Sequence, residues 1–516
     1  MKKFFAVFLA LILLLGLCAC NKNNVGGQSS STNSGTKESF PLSLLYCESD
    51  TVNPYTAVTN INVQLCQLIF DPLFKVDNGF EPINCLAENF ELVDKTCNVV
   101  IKNATFSDMT NVTADDIVYS FNLAKNSNTA YKTQLKGVVS CTAKDIKTVT
   151  FTLSSADPYF VNLLDFPIIK KDSDKQTTSD GAALPPVGCG RFIYNETLKI
   201  LSPNVRYHGA KNKVSEIKLI NAPDSESVSH YVEVGATDIY YTSLNDGEIL
   251  QMSSKKVSVP LNNLIYIGVN QNYAPLSNVY LRYAISAAID RTRICNVAYY
   301  TNAVPATGIF HPNFADASKY QTIEKTANSK ISIENLEKIG YNSEDAGKKI
   351  SLTVLVNREN TFRVSAAELI CEQLRNIGIS ASVIKTSYSD YKARLSSGDF
   401  QLYVGEVRIL NNMDVSNLIV PGGSAAFGVK EDALTQEDTQ TTETVNDYSK
   451  ISDIVNGFYS GKNTLADIVT ASQTQMPIIP ICFRNGLLFH GEDISGDITA
   501  SVSDVFFSIA EFSKIN

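Results

Sequence analysis

The chain has 516 residues and an ordinary globular composition, with 44% hydrophobic and 19% charged residues. Its net charge is −9 and no cluster of lysine and arginine offsets it, which excludes nucleic acid as an expected partner. At ~100–200 residues per domain, the length predicts two or three domains. Eleven scattered cysteines without a C-x-x-C pair do not form a disulfide scaffold, so we expect buried free thiols.

The N terminus has the parts of an export signal. Two lysines precede an apolar run over residues 4–17, which is shorter than the ~20 residues that span a bilayer. The ending Leu17-Cys18-Ala19-Cys20 resembles a bacterial lipobox, in which Cys20 becomes the lipidated first residue of the mature protein. We therefore expect residues 1–20 to be a signal peptide and the protein to be lipid-anchored on the extracytoplasmic face of the cell membrane. An ordinary cleaved signal is the alternative.

Residues 21–39 are expected to be a flexible tether. Only one apolar side chain lies between Asn21 and Glu38, which is too little to offset the chain entropy of folding. A coil of this length holds the folded part roughly 23 Å from the membrane on average. A second stretch, residues 430–447, is acidic and rich in threonine, which predicts a solvated surface segment.

Helix and strand signals follow in chain order. Thr113 is expected to begin a helix, since Asp116 three residues later can complete a capping box. Residues 149–153 and 261–269 are expected to be strands, the second ending at Asn270. A further helix carries Leu281, Ala284, Ile285 and Ala288 on one face and ends near Asp290 and Arg291.

The clearest structural unit lies between residues 351 and 404. Its pattern predicts a strand, a helix, a strand, a helix and a strand, which cover residues 351–356, 362–377, 379–383, 388–396 and 400–404, with Gly378 ending the first helix. Such units build parallel sheets through right-handed crossovers. Ligands bind beyond the carboxyl ends of these strands, which places a site from Gly405 onward.

Catalysis finds little support in the sequence. The four histidines, His208, His230, His311 and His490, lie far apart and have no metal-ligand spacing. No G-x-S-x-G elbow or P-loop is present. We expect no enzymatic activity, no cofactor and no metal, although assembly of a site from distant residues stays open.

Eight short blocks then follow one another along the chain. They are residues 52–55 (VNPY), 69–74 (IFDPLF), 79–82 (GFEP), 86–88 (LAE), 106–121 (FSD to IVYSF), 186–190 (PVGCG), 281–291 (LRYAI to IDR) and 397–400 (SGDF). In this order they resemble the family 5 extracellular solute-binding proteins, the dipeptide, oligopeptide and nickel receptors of ABC importers. The block over residues 106–121 is the most specific.

This resemblance implies an α/β, two-lobed periplasmic-binding-protein-like fold of the class II type, with an extra subdomain inserted in the first lobe. Lobe I is placed at residues 40–262 and 478–516, with the insert at about 85–185, and lobe II at residues 263–477. The chain would cross between lobes near Asn262-Asn263-Leu264 and near Pro477 to Cys482. The protein would be a monomeric receptor that captures peptides between its lobes and delivers them to an ABC permease with its ATPase.

One departure from the family pattern concerns the ligand's charged end. Many relatives carry Gly-Trp-x-x-Asp in the strand-end loop that follows the Asp399-Phe400 block, and its aspartate holds the peptide ammonium. This chain has no tryptophan and reads GEVRILNNMD over residues 405–414. We expect Glu406 or Asp414 to replace the aspartate, with Asn411 in the same loop and Arg408 facing a carboxylate. Alternatively, Glu406 and Arg408 pair with each other at the surface.

The resemblance also implies further cleft residues, which are Thr59, Asn60, Tyr119, Gly188, Cys189 and Asn263. Tyr119 is alternatively a packed core residue. Two other functions remain open at this point. One is a receptor of the same fold for a non-peptide ligand, such as a metal chelate, an opine or an oligosaccharide. The other is a surface lipoprotein that no longer serves transport.

Overall fold

A computed structural model describes residues 39–245, 247, 254–341, 349–431 and 450–515. The predicted signal peptide with Cys20, the tether up to residue 38 and most of residues 430–447 lie outside these described residues. The described residues all belong to one contact unit, Ser39–Asn516. Within them, no helix has both the length and the apolar character needed to cross a membrane.

The strands and helices have the following bounds. The strands are β1 (Phe40–Tyr46), β2 (Phe74–Val76), β3 (Pro82–Asn84), β4 (Ala87–Val93), β5 (Thr96–Ile101), β6 (Val138–Ala143), β7 (Thr148–Leu153), β8 (Phe192–Asn195), β9 (Ile200–Pro203), β10 (Val214–Asn221), β11 (Ile239–Thr242), β12 (Lys255–Val269), β13 (Ala303–Pro305), β14 (Ser351–Asn357), β15 (Ser380–Thr386), β16 (Leu402–Arg408), β17 (Ile478–His490), β18 (Ile494–Ser495) and β19 (Ser513–Lys514). The helices are α1 (Asn60–Ile69), α2 (Ala114–Asn126), α3 (Tyr131–Gln134), α4 (Ser225–Glu233), α5 (Ala274–Ser277), α6 (Val279–Ala288), α7 (Arg291–Val297), α8 (Ala315–Ser318), α9 (Ser329–Lys338), α10 (Thr361–Asn376), α11 (Tyr388–Ser397), α12 (Ser416–Ile419), α13 (Ile451–Phe458) and α14 (Leu465–Gln475).

Three large sheets organise these elements. A four-stranded sheet has the order β1-β10-β9-β8, and an antiparallel sheet has the order β4-β5-β7-β6. The largest sheet has the order β11-β17-β12-β16-β14-β15, with β13 on β17. We call the part with β1–β10, β18 and β19 lobe I, and the part with β13–β16 and α5–α14 lobe II. The residue boundaries given by the family resemblance remain a prediction.

Two long strands connect these parts. The 15 residues of β12 and the 13 residues of β17 pair antiparallel, from Lys255↔His490 to Gly268↔Ile478. All residues of β17 are buried. The pair supplies Val259 and Leu488 to the core of lobe I, and Ile265 and Ile479 to a core of lobe II. Both lobes therefore depend on the same two strands.

The predicted unit after residue 351 is confirmed. β14 pairs in parallel with both β15 and β16, and α10 buries Ala366, Ile370 and Leu374. Gly378 follows the helix with a φ of 88°, a left-handed conformation that glycine adopts without a steric penalty. The prediction for β16 is wrong at its end, because pairing with β12 extends the strand to Arg408. The loop therefore begins at Ile409 rather than at Gly405.

The other local predictions are also confirmed. The Asp116 carboxylate accepts hydrogen bonds from the Thr113 N–H (2.9 Å) and hydroxyl (2.7 Å), so the capping box begins α2. α6 ends at Ala288, and Asp290 caps α7 through the N–H of Arg293. β7 and β12 contain the two predicted strands. All nine cysteines in the described residues are buried and without a disulfide.

Close packing between β12 and β16 generates a stability prediction. A Cβ at Gly268 would lie 1.9 Å from Cε1 of Tyr403. We expect Gly268→Ala to lower the free energy of unfolding by ~1–3 kcal/mol, because overpacking displaces the buried ring. Urea denaturation followed by circular dichroism measures this. Gly137→Ala is the control, since its Cβ would meet only Ser154 Oγ, at 3.9 Å. Equal effects of the two changes would contradict the packing argument.

Candidate functional site

The loop over residues 409–415 carries the candidate site, because it reaches from lobe II into lobe I. The Asn412 side-chain amide donates to Asp157 Oδ2 at 2.7 Å. The Asn411 amide donates to Asp165 Oδ2 at 3.3 Å, and the Asn162 amide donates to the Asn411 carbonyl at 3.0 Å. The two lobes thus meet through direct hydrogen bonds at this loop.

Strand β12 fixes the path of this loop. The Ile409 N–H donates to the Asn262 carbonyl at 2.8 Å, which continues the β12–β16 pairing by one step. The Asn262 amide lies 3.3 Å from Met413 Sδ and 3.5 Å from the Leu410 carbonyl. Met413 has a φ of 60°, so the chain turns back at this residue. The turn leaves Asp414 beside lobe I.

A cavity of about 560 Å³ lies next to the loop. Small-molecule sites commonly have volumes of ~300–1,000 Å³. Residues from both lobes line it, including Thr133, Lys136, Ser154, Asp157, Phe160, Leu410, Asn412, Asp414, Asn417 and Tyr459. The cavity is therefore of suitable size for a small solute held between two lobes.

Two carboxyl groups dominate the electrostatics of the cavity. Burial raises the pKa of Asp157 to about 6, and the Asp414 carboxylate contributes in the same direction. Burial, Asp414 and Asp157 together raise the pKa of the Tyr459 hydroxyl. Within the described part of the chain, neither acid forms an ion pair with a basic side chain. A cationic group in the cavity would therefore be stabilised.

Glu406 has a different environment, on β16 in the largest sheet, where β12 separates β16 from β17. Arg484 on β17 donates from Nε (2.9 Å) and Nη2 (2.7 Å) to Glu406 Oε1. The Asn263 amide donates to the same oxygen at 2.9 Å. Burial alone would raise the pKa of Glu406, but the Arg484 guanidinium, the Asn263 amide and the Arg363 charge together outweigh it and hold this pKa below its ordinary value. Glu406 is thus already neutralised within the protein.

The predicted surface pair between Glu406 and Arg408 is therefore wrong. Alternation along β16 places Glu406 and Arg408 on one face of the strand. The ion-pair partner of Glu406 is nevertheless Arg484, at 2.7 Å, and the Arg484 side chain is 2% exposed. Arg408 is exposed at the end of β16 and forms no ion pair with another described residue. Its charge acts on Asp165, where it opposes the rise in pKa that burial causes.

The remaining predicted residues lie elsewhere in lobe I. Thr59 precedes α1 and donates from its N–H and its hydroxyl to Asp50 Oδ2, at 2.8 and 2.6 Å. Asn60 is exposed. Tyr119 is half-buried and donates to Asp174 Oδ1 at 2.6 Å. None of these contacts reaches the loop over residues 409–415, and their cleft-lining role remains a prediction.

Gly188 and Cys189 have a packing role in this structure. A Cβ at Gly188 would lie 2.2 Å from the Ile69 carbonyl oxygen at the end of α1, so only glycine fits. Cys189 is fully buried in the core of lobe I. The turn therefore fixes α1 against lobe I instead of presenting an exposed surface.

The sequence analysis missed Asp157, Asp165 and Arg484. The two aspartates carry no local signal, since an exposed acid and an interlobe acid look alike in sequence. Arg484 did carry one, because it interrupts the apolar run of β17. A charge in such a run needs a buried partner. That partner, Glu406, is 78 residues away in the chain.

The buried ion pair generates a prediction. Arg484→Met leaves the Glu406 carboxylate buried and unpaired, which should lower the free energy of unfolding by ~3–5 kcal/mol. Arg293→Met is the control, because Arg293 pairs with Glu372 at 2.8 Å with both side chains over 40% exposed. Breaking such a pair costs ~0–1 kcal/mol. Urea denaturation at neutral pH compares them, and a loss at Arg484 no larger than at Arg293 would refute the argument.

The chain is similar to known proteins in its sequence. The family model described as bacterial extracellular solute-binding proteins, family 5 Middle, matches residues 81–424. The glutathione-binding protein GsiB of Salmonella choleraesuis is 22% identical over 444 residues, which cover 83% of this chain and 82% of GsiB.

Solved structures show the same fold. The ABC transporter substrate-binding protein CtaP of Listeria monocytogenes superposes with a TM-score of 0.69 at 19% identity, over 93% of this chain and 100% of CtaP. NikA of Brucella suis, in complex with Fe(III)-EDTA, gives 0.68 at 16% identity, over 92% and 99%. The expected two-lobed α/β fold is thereby confirmed. The chain belongs to family 5 of the bacterial extracellular solute-binding proteins, the components of ABC importers that bind small solutes and work with permease subunits.

Proposed function

We propose that this protein is a peptide receptor, which captures a short peptide between its lobes and delivers it to the permease of an ABC importer. The observation that carries the proposal is the interlobe cavity with two carboxyl groups, Asp157 and Asp414, that lack a basic partner among the described residues. The similarity to GsiB, a glutathione-binding protein, also supports the proposal, because glutathione is itself a short peptide.

The peptide's ammonium group would lie between Asp157 and Asp414. An ammonium group taken out of water is stable only when it meets opposite charge or acceptors. Asp414 is preferred over Glu406 for this role, because Arg484 already neutralises Glu406. Asn411 and Asn412 would stay beside the ligand, since they hold the loop against lobe I.

The peptide's carboxylate would meet Lys136 or Arg408. Lys136 lines the cavity, and Arg408 is exposed on β16 just before the loop. Neither forms an ion pair with another described residue. A ligand with separated positive and negative ends, as in a short peptide, complements this arrangement.

The attachment to the membrane completes the proposal. Lipidation of Cys20 would anchor a monomeric receptor, and the tether over residues 21–39 would let it reach the permease. Neither Cys20 nor most of the tether is among the described residues. The lipobox resemblance alone supports this part.

The ligand experiment uses the purified protein and native mass spectrometry to identify the co-purified solute. We expect a peptide, and Asp414→Asn should weaken its binding at least ~100-fold, since an unpaired buried charge costs ~3–5 kcal/mol and each 1.4 kcal/mol is tenfold. Asp180→Asn is the control, because Asp180 is exposed in a turn of lobe I.

Two outcomes would revise the proposal. Binding by Asp414→Asn within a few-fold of wild type would remove Asp414 from the ammonium site. A co-purified metal chelate would favour a receptor for a non-peptide ligand. The structure of NikA holds such a chelate, Fe(III)-EDTA.

The lipid anchor has its own test. Cys20→Ala should release the protein into the medium or leave an unprocessed precursor, because the lipid is attached to that thiol. Cys18→Ala is the matched control and should leave anchoring unchanged, since Leu17 is too bulky to precede the cleavage site. Membrane fractionation and the mass of the mature protein provide the readout. Unchanged processing and membrane retention in Cys20→Ala would end the lipoprotein claim.

A further inference from the structure

A second cluster of polar side chains lies in lobe I. Asp71, Cys85 and His208 each place one potential metal-ligating atom within 4.8 Å of the other two. Asp71 is 1% exposed and Cys85 is 7% exposed, so the group is buried. We propose that these three residues bind a divalent transition-metal ion of the zinc type.

The geometry needs a modest adjustment to hold such an ion. His208 Nε2 already lies 2.8 Å from Asp71 Oδ2. In a tetrahedral zinc site, bonds of ~2.0–2.3 Å hold the ligand atoms roughly 3.3–3.6 Å apart. The pair at 2.8 Å would therefore widen, the other separations of at most 4.8 Å would adjust to this spacing, and water would take the fourth position. A thiolate and an imidazole select zinc-like ions over Ca²⁺ and Mg²⁺, which prefer oxygen ligands.

The charge of the cluster also calls for a further cation. Lys75 Nζ lies 2.7 Å from Asp504 Oδ2 and 3.7 Å from Asp71 Oδ1. Two carboxylates therefore share one ammonium group, and one negative charge remains buried. A divalent ion with the Cys85 thiolate gives a neutral cluster, because two positive charges then meet one additional negative charge.

Binding of the ion is a proton exchange without redox chemistry. The Cys85 ligand atom binds as a thiolate, so its thiol must give up a proton when the ion binds. The ion displaces that proton to solvent. Metal–sulfur, metal–nitrogen and metal–oxygen bonds form.

The ion would join three segments that are distant in sequence. Asp71 precedes β2, Cys85 follows β3, and His208 lies between β9 and β10. The pair between Lys75 and Asp504 adds the C-terminal segment to the same cluster. A metal there would hold lobe I together and acts independently of the ligand cavity.

The test uses the full chain after removal of metal with a chelator. Titration should show uptake of one equivalent of Zn²⁺, and Co²⁺ should produce the near-ultraviolet band of a cobalt–thiolate bond. Ca²⁺ should produce neither. Zn²⁺ should also protect Cys85 from alkylation in mild denaturant, as mapped by mass spectrometry. Failure of the wild-type protein to take up Zn²⁺ would overturn the proposal.

Variants locate the site. Cys85→Ser and His208→Gln should each weaken Zn²⁺ binding ~100-fold or more, since the loss of a ligand exceeds the 10–100-fold effect of a supporting residue. Cys371→Ser is the control, because Cys371 is an equally buried thiol in lobe II. Wild-type affinity in both site variants would overturn the assignment. If a variant does not fold, alkylation of wild-type Cys85 decides, and equal labelling with and without Zn²⁺ refutes the site.

Discussion

The antiparallel pairing of β12 and β17 is the constraint on which the rest of the structure depends. These strands supply side chains to cores in both lobes, and β16 extends the same sheet on the other side of β12. Asn263 therefore has Arg408 and Arg484 as its two ladder partners. Separation of these strands would expose the Glu406–Arg484 pair, which is buried. A lobe movement that keeps these strands paired therefore leaves the Glu406–Arg484 ion pair intact.

The loop over residues 409–415 is rooted in this sheet and ends against the other lobe. Its contacts with lobe I include hydrogen bonds from the Asn411 and Asn412 amides, one from the Asn162 amide to the Asn411 carbonyl, and packing of Leu410 on the core of lobe I. A hydrogen bond to a charged group contributes ~1.5–3 kcal/mol net, and one between neutral groups ~0.5–1.5 kcal/mol. Such a set is strong enough to favour contact and weak enough to exchange for contacts with a ligand. This balance is what a receptor that opens and closes requires.

Local signals predicted the fold well where the cause of a structure is local. The capping box of Thr113 and Asp116, and the left-handed Gly378, depend on neighbours within a few residues. The end of β16 depends instead on pairing with β12, which lies far away in sequence, so the pattern around Gly405 could not show it. The partner of Glu406 and the cluster around Asp71 are likewise products of tertiary contacts. Sequence reasoning found Asp414 but not Asp157, because only folding brings them together.

The negative charges of the buried and half-buried acids in this protein are balanced in different ways, and these differences separate the acids into groups. Glu406 has a guanidinium group in hydrogen-bond contact, so it contributes to the integrity of the sheet. Asp71 shares the ammonium group of Lys75 with Asp504 and has an imidazole at 2.8 Å. Among the described residues, Asp157 accepts from the Asn412 amide and the Tyr159 N–H, and Asp414 accepts from the Ser416 N–H and interacts with the Tyr459 phenol, and neither acid forms an ion pair. A protein gains nothing in stability from two such acids in one cavity. Under the proposed function, the ammonium group of the ligand would supply the positive charge that these two acids lack among the described residues.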